Sequence, residues 1–138
     1  MEQPAQQGMR SRILVVDDDR AVLDAVSDTL LDEGYEAMMA ASAAEALRVL
    51  ERERPDLIIT DFMMPGTNGV QFLSEVLKRY GAIPALLVTA SPPRFAGDAV
   101  RAAGLSNPVV KKPFDLAALL ALVGKYLPAT AQRRVTAS

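Results

Sequence analysis

Four short apolar runs, each stopping at a polar side chain, punctuate the chain: Ile13–Val16 before Asp17, Asp18 and Asp19; Leu57–Thr60 before Asp61; Ala85–Val88 before Thr89; and Val109-Val110 before Lys111 and Lys112. Uninterrupted runs of this length are the pattern of strands buried on both faces of a parallel sheet. A fifth strand, Tyr35 to Ala40, alternates imperfectly.

Between these runs the apolar spacing becomes helical. Val22, Val26 and Leu30, flanked by Leu23 and Leu31, mark a first helix that Gly34 stops. Ser42 caps a second, with Ala43, Ala46, Leu47 and Leu50 on one face and Pro55 closing it. After the turn Pro65–Gly69, the residues Val70, Leu73, Leu77 and Tyr80 form a third stripe, ended by Gly81. Pro84 opens the next strand, and Ser91-Pro92-Pro93 precedes a weaker, alanine-rich helix at 94–103 with Gly104 as its stop. Asp115 is the N-cap of the last helix, where Phe114 and Leu119 occupy the two positions of a hydrophobic staple ahead of Leu120, Val123 and Leu127.

Strict alternation of strand and helix predicts an α/β fold, a doubly wound five-stranded parallel sheet with five helices and right-handed crossovers. The flavodoxin-like strand order 2-1-3-4-5 suits this size, and in such sheets ligands bind beyond the carboxyl ends of the strands. That order makes the first and third strands neighbours, which brings Asp17 and Asp18 beside Asp61. The expected domain is 12–127, with a flexible N-terminal tail at 1–11 and a flexible C-terminal tail or linker start at 128–138.

Composition restricts the chemistry available at that crevice. The 138 residues include no cysteine and no histidine, which excludes disulfides, thiolate nucleophiles, Cys/His zinc sites and imidazole catalysis. Covalent chemistry is left to carboxylate, hydroxyl or amine. A net charge of −2 with both signs interspersed gives no footprint for nucleic acid or for an anionic membrane, and no run approaches the ~20 apolar residues of a membrane span. Nor does 1–12 have the apolar core of a signal peptide. A soluble, cytoplasmic protein is expected.

Three carboxylates in one small site resist simultaneous ionisation unless a cation sits among them. Magnesium, which prefers oxygen donors and typically takes one or two carboxylates together with a phosphate oxygen, suits the set. A carboxylate nucleophile forming an aspartyl phosphate is a known kind of intermediate. Each residue also has a plainer reading: the Asp cluster as a helix N-cap, Asp61 as a loop acid, Thr89 as a turn residue, Lys112 as a solvated charge. Four such accidents at four strand ends are hard to sustain together.

Val15-Val16-Asp17-Asp18-Asp19, Asp61-Phe62-Met63-Met64-Pro65-Gly66 with Gly69, Thr89-Ala90, and Lys112-Pro113-Phe114 together resemble the receiver domain of two-component response regulators, over roughly 12–127. The resemblance implies that Asp61 accepts a phosphoryl group from a sensor histidine kinase or histidine phosphotransfer protein and thereby switches binding to a downstream target. It implies Mg2+ held by Asp17, Asp18, Asp61 and the backbone carbonyl of Met63, with Asp19 matching no ligand position. Thr89 and Lys112 would contact phosphoryl oxygens, Met63 and Ser91 would line the route of attacking water, and Lys112-Pro113 matches a cis peptide position. Such a domain is no enzyme beyond its own phosphorylation and dephosphorylation. A homodimer is left open.

Two other classes fit parts of the pattern. A phosphatase resembling the haloacid dehalogenase group would use Asp17 and Asp19 as its acid pair, but it leaves Asp61 without a role and lacks an acidic pair after Lys112. A binding module that is never phosphorylated would not need all five site residues. The chain also departs from the receiver pattern: Val109 stands where an aromatic is usual, the loop 105–108 is one residue longer than usual, and Pro92-Pro93 stiffens the segment after Thr89. The phosphorylation chemistry is therefore expected to be intact with a different readout.

Overall fold

The computed structural model describes residues 10–127; the two expected tails lie outside them, apart from Arg10 and Ser11. Ser11 is buried, and its carbonyl accepts the Glu36 N–H at 2.8 Å, so the sheet's hydrogen bonding already begins there. Five strands, β1 (Arg12–Val16), β2 (Glu36–Ala40), β3 (Leu57–Asp61), β4 (Ala85–Thr89) and β5 (Val109–Lys111), form one parallel sheet in the order β2-β1-β3-β4-β5. Between and after them run α1 (Arg20–Asp32), α2 (Ala43–Leu50), α3 (Gly69–Tyr80), α4 (Pro93–Ala102) and α5 (Leu116–Tyr126). The expected flavodoxin-like architecture is the one observed.

Successive strand side chains point to opposite faces, so the continuous apolar runs supply two cores at once. Ile13, Val15, Leu57, Ile59, Leu86 and Val88 pack with Leu23, Val26, Leu119 and Val123 of α1 and α5. Leu14, Val16, Ile58, Ala85 and Leu87 pack with α2, α3 and α4. Strands β3 and β4 are buried throughout, whereas β2 lies at one edge and is only partly covered, which accounts for its imperfect alternation.

The helix boundaries follow local chemistry. Ser42 Oγ accepts the Glu45 N–H, and Asp115 accepts the Ala117 N–H. Asn68 and Gln71 form a reciprocal capping box at 2.8 and 2.9 Å, a signature that the turn composition had hidden. Gly81 ends α3 with a φ of 81°, a conformation that favours glycine.

Other details differ from expectation. Helix α2 stops at Leu50, ahead of Pro55, and α4 spans 93–102 because Pro93 fits the first helical turn. On α3 the buried stripe is Val70, Phe72, Leu73 and Val76, while Leu77 is 46 % exposed. The apolar spacing was right but the face lies rotated toward Phe72. Leu31 is likewise 51 % exposed, because Leu23, Val26 and Leu30 already fill the face of α1 that meets the sheet.

Candidate functional site

The strand register aligns the predicted groups at one edge of the sheet. Val16 pairs with Thr60, Asp61 with Val88, and Thr89 with Lys111, so the residues at or just beyond these positions share the carboxyl end of the sheet. Backbone bonds extend the alignment into the loops: Asp17 N–H to Ala40 O at 3.1 Å, Phe62 N–H to Val88 O at 2.7 Å, and Lys112 N–H to Thr89 O at 2.7 Å.

Within the Asp cluster the roles separate. Asp19 is the N-cap of α1, accepting from Ala21 N–H at 3.0 Å and Val22 N–H at 3.4 Å. Asp17, 3 % exposed, accepts the Asp19 N–H through Oδ1 at 2.9 Å and Lys112 Nζ through Oδ2 at 2.6 Å. Asp18 is exposed. Asp17, Asp18 and Asp61 each bring one carboxylate oxygen to within 4.8 Å of the others, an all-oxygen donor set that could hold a hard divalent cation. The pairing of Asp17 with Asp19 that a phosphatase would require is not formed, since Asp19 serves the helix terminus.

Lys112 lies between two carboxylates, its Nζ 2.6 Å from Asp17 Oδ2 and 3.6 Å from Asp61 Oδ2. Burial alone would lower its pKa. The hydrogen bond to Asp17 and the charges of Asp61 and Asp17 outweigh that and hold the ammonium above its usual value. The Lys112-Pro113 bond is cis, as the resemblance implied. The shorter contact, to Asp17, was not foreseen: a nearly buried carboxylate binds the cation more closely than Asp61 does.

Asp61 is pushed up to about 6, chiefly by burial and then by the charge of Asp17; Lys112 opposes this, Asp18 adds to it, and a hydrogen bond from the Met63 backbone opposes it. Its ordinary value is 3.8, so between these two values the folded protein holds the proton more firmly than the unfolded chain. Ionising Asp61 as pH rises through that window therefore lowers stability. With a chelator present, Asp61→Asn is expected to raise the thermal midpoint at about pH 7.5 and to leave it nearly unchanged near pH 4. An equal rise at both pH values would show that the charge is not the cause.

Thr89 is fully buried, and its Oγ1 accepts the Ser91 N–H at 3.0 Å. This engages an oxygen lone pair and leaves the hydroxyl proton free to be donated elsewhere. Met63 is 58 % exposed. Gly69, which the sequence places in a turn and in the receiver motif, has a further part: its N–H donates to Phe62 O at 2.7 Å, and a Cβ on it would lie 2.3 Å from the Asp61 carbonyl oxygen. Its invisible task is to let the start of α3 press against the backbone that presents Asp61. Beside Lys112 an apolar groove of about 390 Å³ opens between α1 and the β5–α5 turn, lined by Val22, Val26, Pro113 and Phe114.

Comparison with known proteins agrees with this geometry. The response regulator receiver domain pattern matches residues 13–124. Response regulator protein FleR of Pseudomonas aeruginosa is 44 % identical over 119 residues, covering 86 % of this chain and 25 % of FleR. Response regulator MprA of Mycobacterium leprae is 36 % identical over 124 residues, covering 86 % of this chain and 52 % of MprA. The chain thus spans about a quarter to a half of the length of these relatives. Chemotaxis protein CheY4 of Vibrio cholerae superposes with a TM-score of 0.79 at 32 % identity, covering 86 % of this chain and 99 % of CheY4.

Proposed function

From the premise that this chain belongs to the response regulator receiver domain family of two-component systems, we propose that Asp61 is its phosphoryl acceptor. A signalling domain of this family is not a classical enzyme; the reaction assigned to it is its own modification. A carboxylate oxygen of Asp61 forms the new O–P bond as the N–P bond of a donor phosphohistidine breaks, and the histidine nitrogen departs with its electron pair. The donor is a sensor histidine kinase or a phosphotransfer protein, and the apolar groove beside Lys112 is where its surface would seat. The observation that carries the reading is Lys112 Nζ lying within reach of both Asp17 and Asp61 while three carboxylate oxygens crowd within 4.8 Å.

Asp17, Asp18, Asp61 and the Met63 carbonyl would hold Mg2+, which when bound neutralises charge on the transferred group. Lys112 supplies a fixed positive charge, and the Thr89 hydroxyl proton is donated to a phosphoryl oxygen. Modification would then alter binding of a downstream target protein, in the cytoplasm, with self-association into a homodimer as one mode of readout. No direct role with nucleic acid or membrane is assigned to this domain; among the described residues no helix is long and apolar enough to cross a membrane.

Intact-mass spectrometry after incubation with acetyl phosphate tests the proposal. A gain of one phosphoryl group that requires magnesium and disappears in Asp61→Asn is expected. An undiminished gain in the variant would move the acceptor elsewhere, and no gain under any condition would overturn phosphorylation altogether.

A further inference from the structure

The two edges of the sheet are guarded unequally. Strand β5 is short, carries Lys111 and has Pro113 close behind it, and short length, lysine and proline are features that keep a sheet edge from pairing with another chain. Strand β2 has neither lysine nor proline. It keeps a regular register with β1 from Glu36 to Ala40, and its one charge, Glu36, is engaged by Arg12 at 3.3 Å. The bonds from Glu36 N–H to Ser11 O and from Asp17 N–H to Ala40 O show that the even-numbered residues of β2 bond to β1. Alternation along the strand therefore turns the N–H and C=O groups of Ala37 and Met39 outward, and among the described residues no strand lies beyond them.

Apolar and acidic surface adjoins that edge. Met39 shares the α1 side of β2 with Ala37 and is 44 % exposed. Leu31 is exposed as well; with 3.6 residues per turn it lies roughly opposite Val22, which lines the groove beside α5, so it sits on the flank of α1 nearer the β2 edge. Along the same helix and at its end, Asp24, Asp28, Asp32 and Glu33 are exposed, and none of them forms an ion pair among the described residues. The last turn of α1 carries no basic residue, although the carboxyl end of a helix favours cations. Asp32 and Glu33 thus stand at the negative end of the helix dipole, just ahead of β2, an arrangement that costs stability until a positive group covers it.

We propose that the free edge of β2 receives an extended segment of a partner protein, which pairs with Ala37 and Met39 as an added strand, covers Met39 and Leu31 with an apolar side chain, and directs lysine or arginine toward the acids of α1. Charge selects this occupant. A second copy of the chain would bring its own Asp24, Asp28, Asp32 and Glu33 against these, and a nucleic acid would meet the same repulsion. The inference stands apart from phosphoryl acceptance at Asp61, so its test is run on both the wild-type protein and Asp61→Asn, and the same binding is expected in each.

The probe is the terminally blocked peptide Lys-Thr-Ile-Thr-Lys, whose alternation puts the isoleucine and both lysines on one side, titrated into the protein while amide shifts are followed by NMR. Saturable shifts centred on Ala37 and Met39 are expected. Glutamate in place of both lysines should weaken binding roughly tenfold or more. Methylation of the peptide's alternate amide nitrogens separates pairing from mere attraction: the set facing β2 should abolish binding, and the set facing solvent should leave it. Met39→Lys, a charge of the kind that guards edges, and the double variant Asp28→Lys with Asp32→Lys should each reduce binding by a similar factor, with circular dichroism confirming the fold. Absence of saturable shifts, shifts unchanged by both variants, equal binding of the glutamate peptide, equal loss from both methylated sets, or self-association of the free protein through Ala37 and Met39 would overturn the proposal.

Discussion

Gly69→Ala is expected to lower the thermal midpoint by roughly 10 °C or more and to diminish phosphoryl acceptance in the protein that remains folded. The added Cβ would stand 2.3 Å from the Asp61 carbonyl oxygen, 2.8 Å from Leu87 Cδ1 and 3.1 Å from Phe62 Cα. Two of these are backbone atoms, which cannot turn aside as the end of a flexible side chain can. Either α3 moves outward, breaking the 2.7 Å bond from Gly69 N–H to Phe62 O, or the backbone at Asp61 yields. Overpacking of this kind costs on the order of 3 kcal/mol. Gly97→Ala is the matched control within another helix, and there the gain in helix propensity should raise stability by about 1 kcal/mol. Calorimetry on both variants settles the point; equal effects would mean that the close approach at Gly69 is accommodated without cost.

Lys112→Met should slow phosphorylation by acetyl phosphate at least a hundredfold at neutral pH, the order of loss when one fixed electrostatic donor is removed from a reacting centre. The transferring group loses the cation that the protein itself supplies. Lys112→Arg, which keeps the charge but not the compact ammonium, should recover part of the rate. A wild-type rate in Lys112→Met would remove Lys112 from the site's chemistry. Stability suffers as well, since Asp17 is left nearly buried without its cation.

Much of this arrangement was legible before any coordinates, for a physical reason. Strands buried on both faces leave uninterrupted apolar runs, and their ends are where a parallel sheet gathers polar groups, so Asp17, Asp61, Thr89 and Lys112 could be seen converging. Periodicity gives the width of a helix face more securely than its direction, which is why Leu77 falls on the predicted stripe yet is exposed, while Phe72, off that stripe, is buried. The three consecutive aspartates could not be sorted by spacing, because the choice between capping α1 and facing the crevice depends on where the N–H groups of Ala21 and Val22 point. Gly69 was legible as a turn residue and as part of the receiver motif, but not as a point of close approach to Asp61. Its function is a missing atom, detectable only when the Asp61 carbonyl is found where a side chain would have been.

The division of the interior into two cores has an engineering consequence. Along β1 the side chains of Ile13 and Val15 belong with α1 and α5, those of Leu14 and Val16 with α2, α3 and α4, and the same parity continues across β3 and β4. A designer could therefore graft one layer from a related protein by exchanging alternate strand positions together with their helices, leaving the opposite layer's packing untouched. The groove beside Lys112 travels with the first layer. The two layers become exchangeable parts, and a library of hybrids could be assembled one layer at a time.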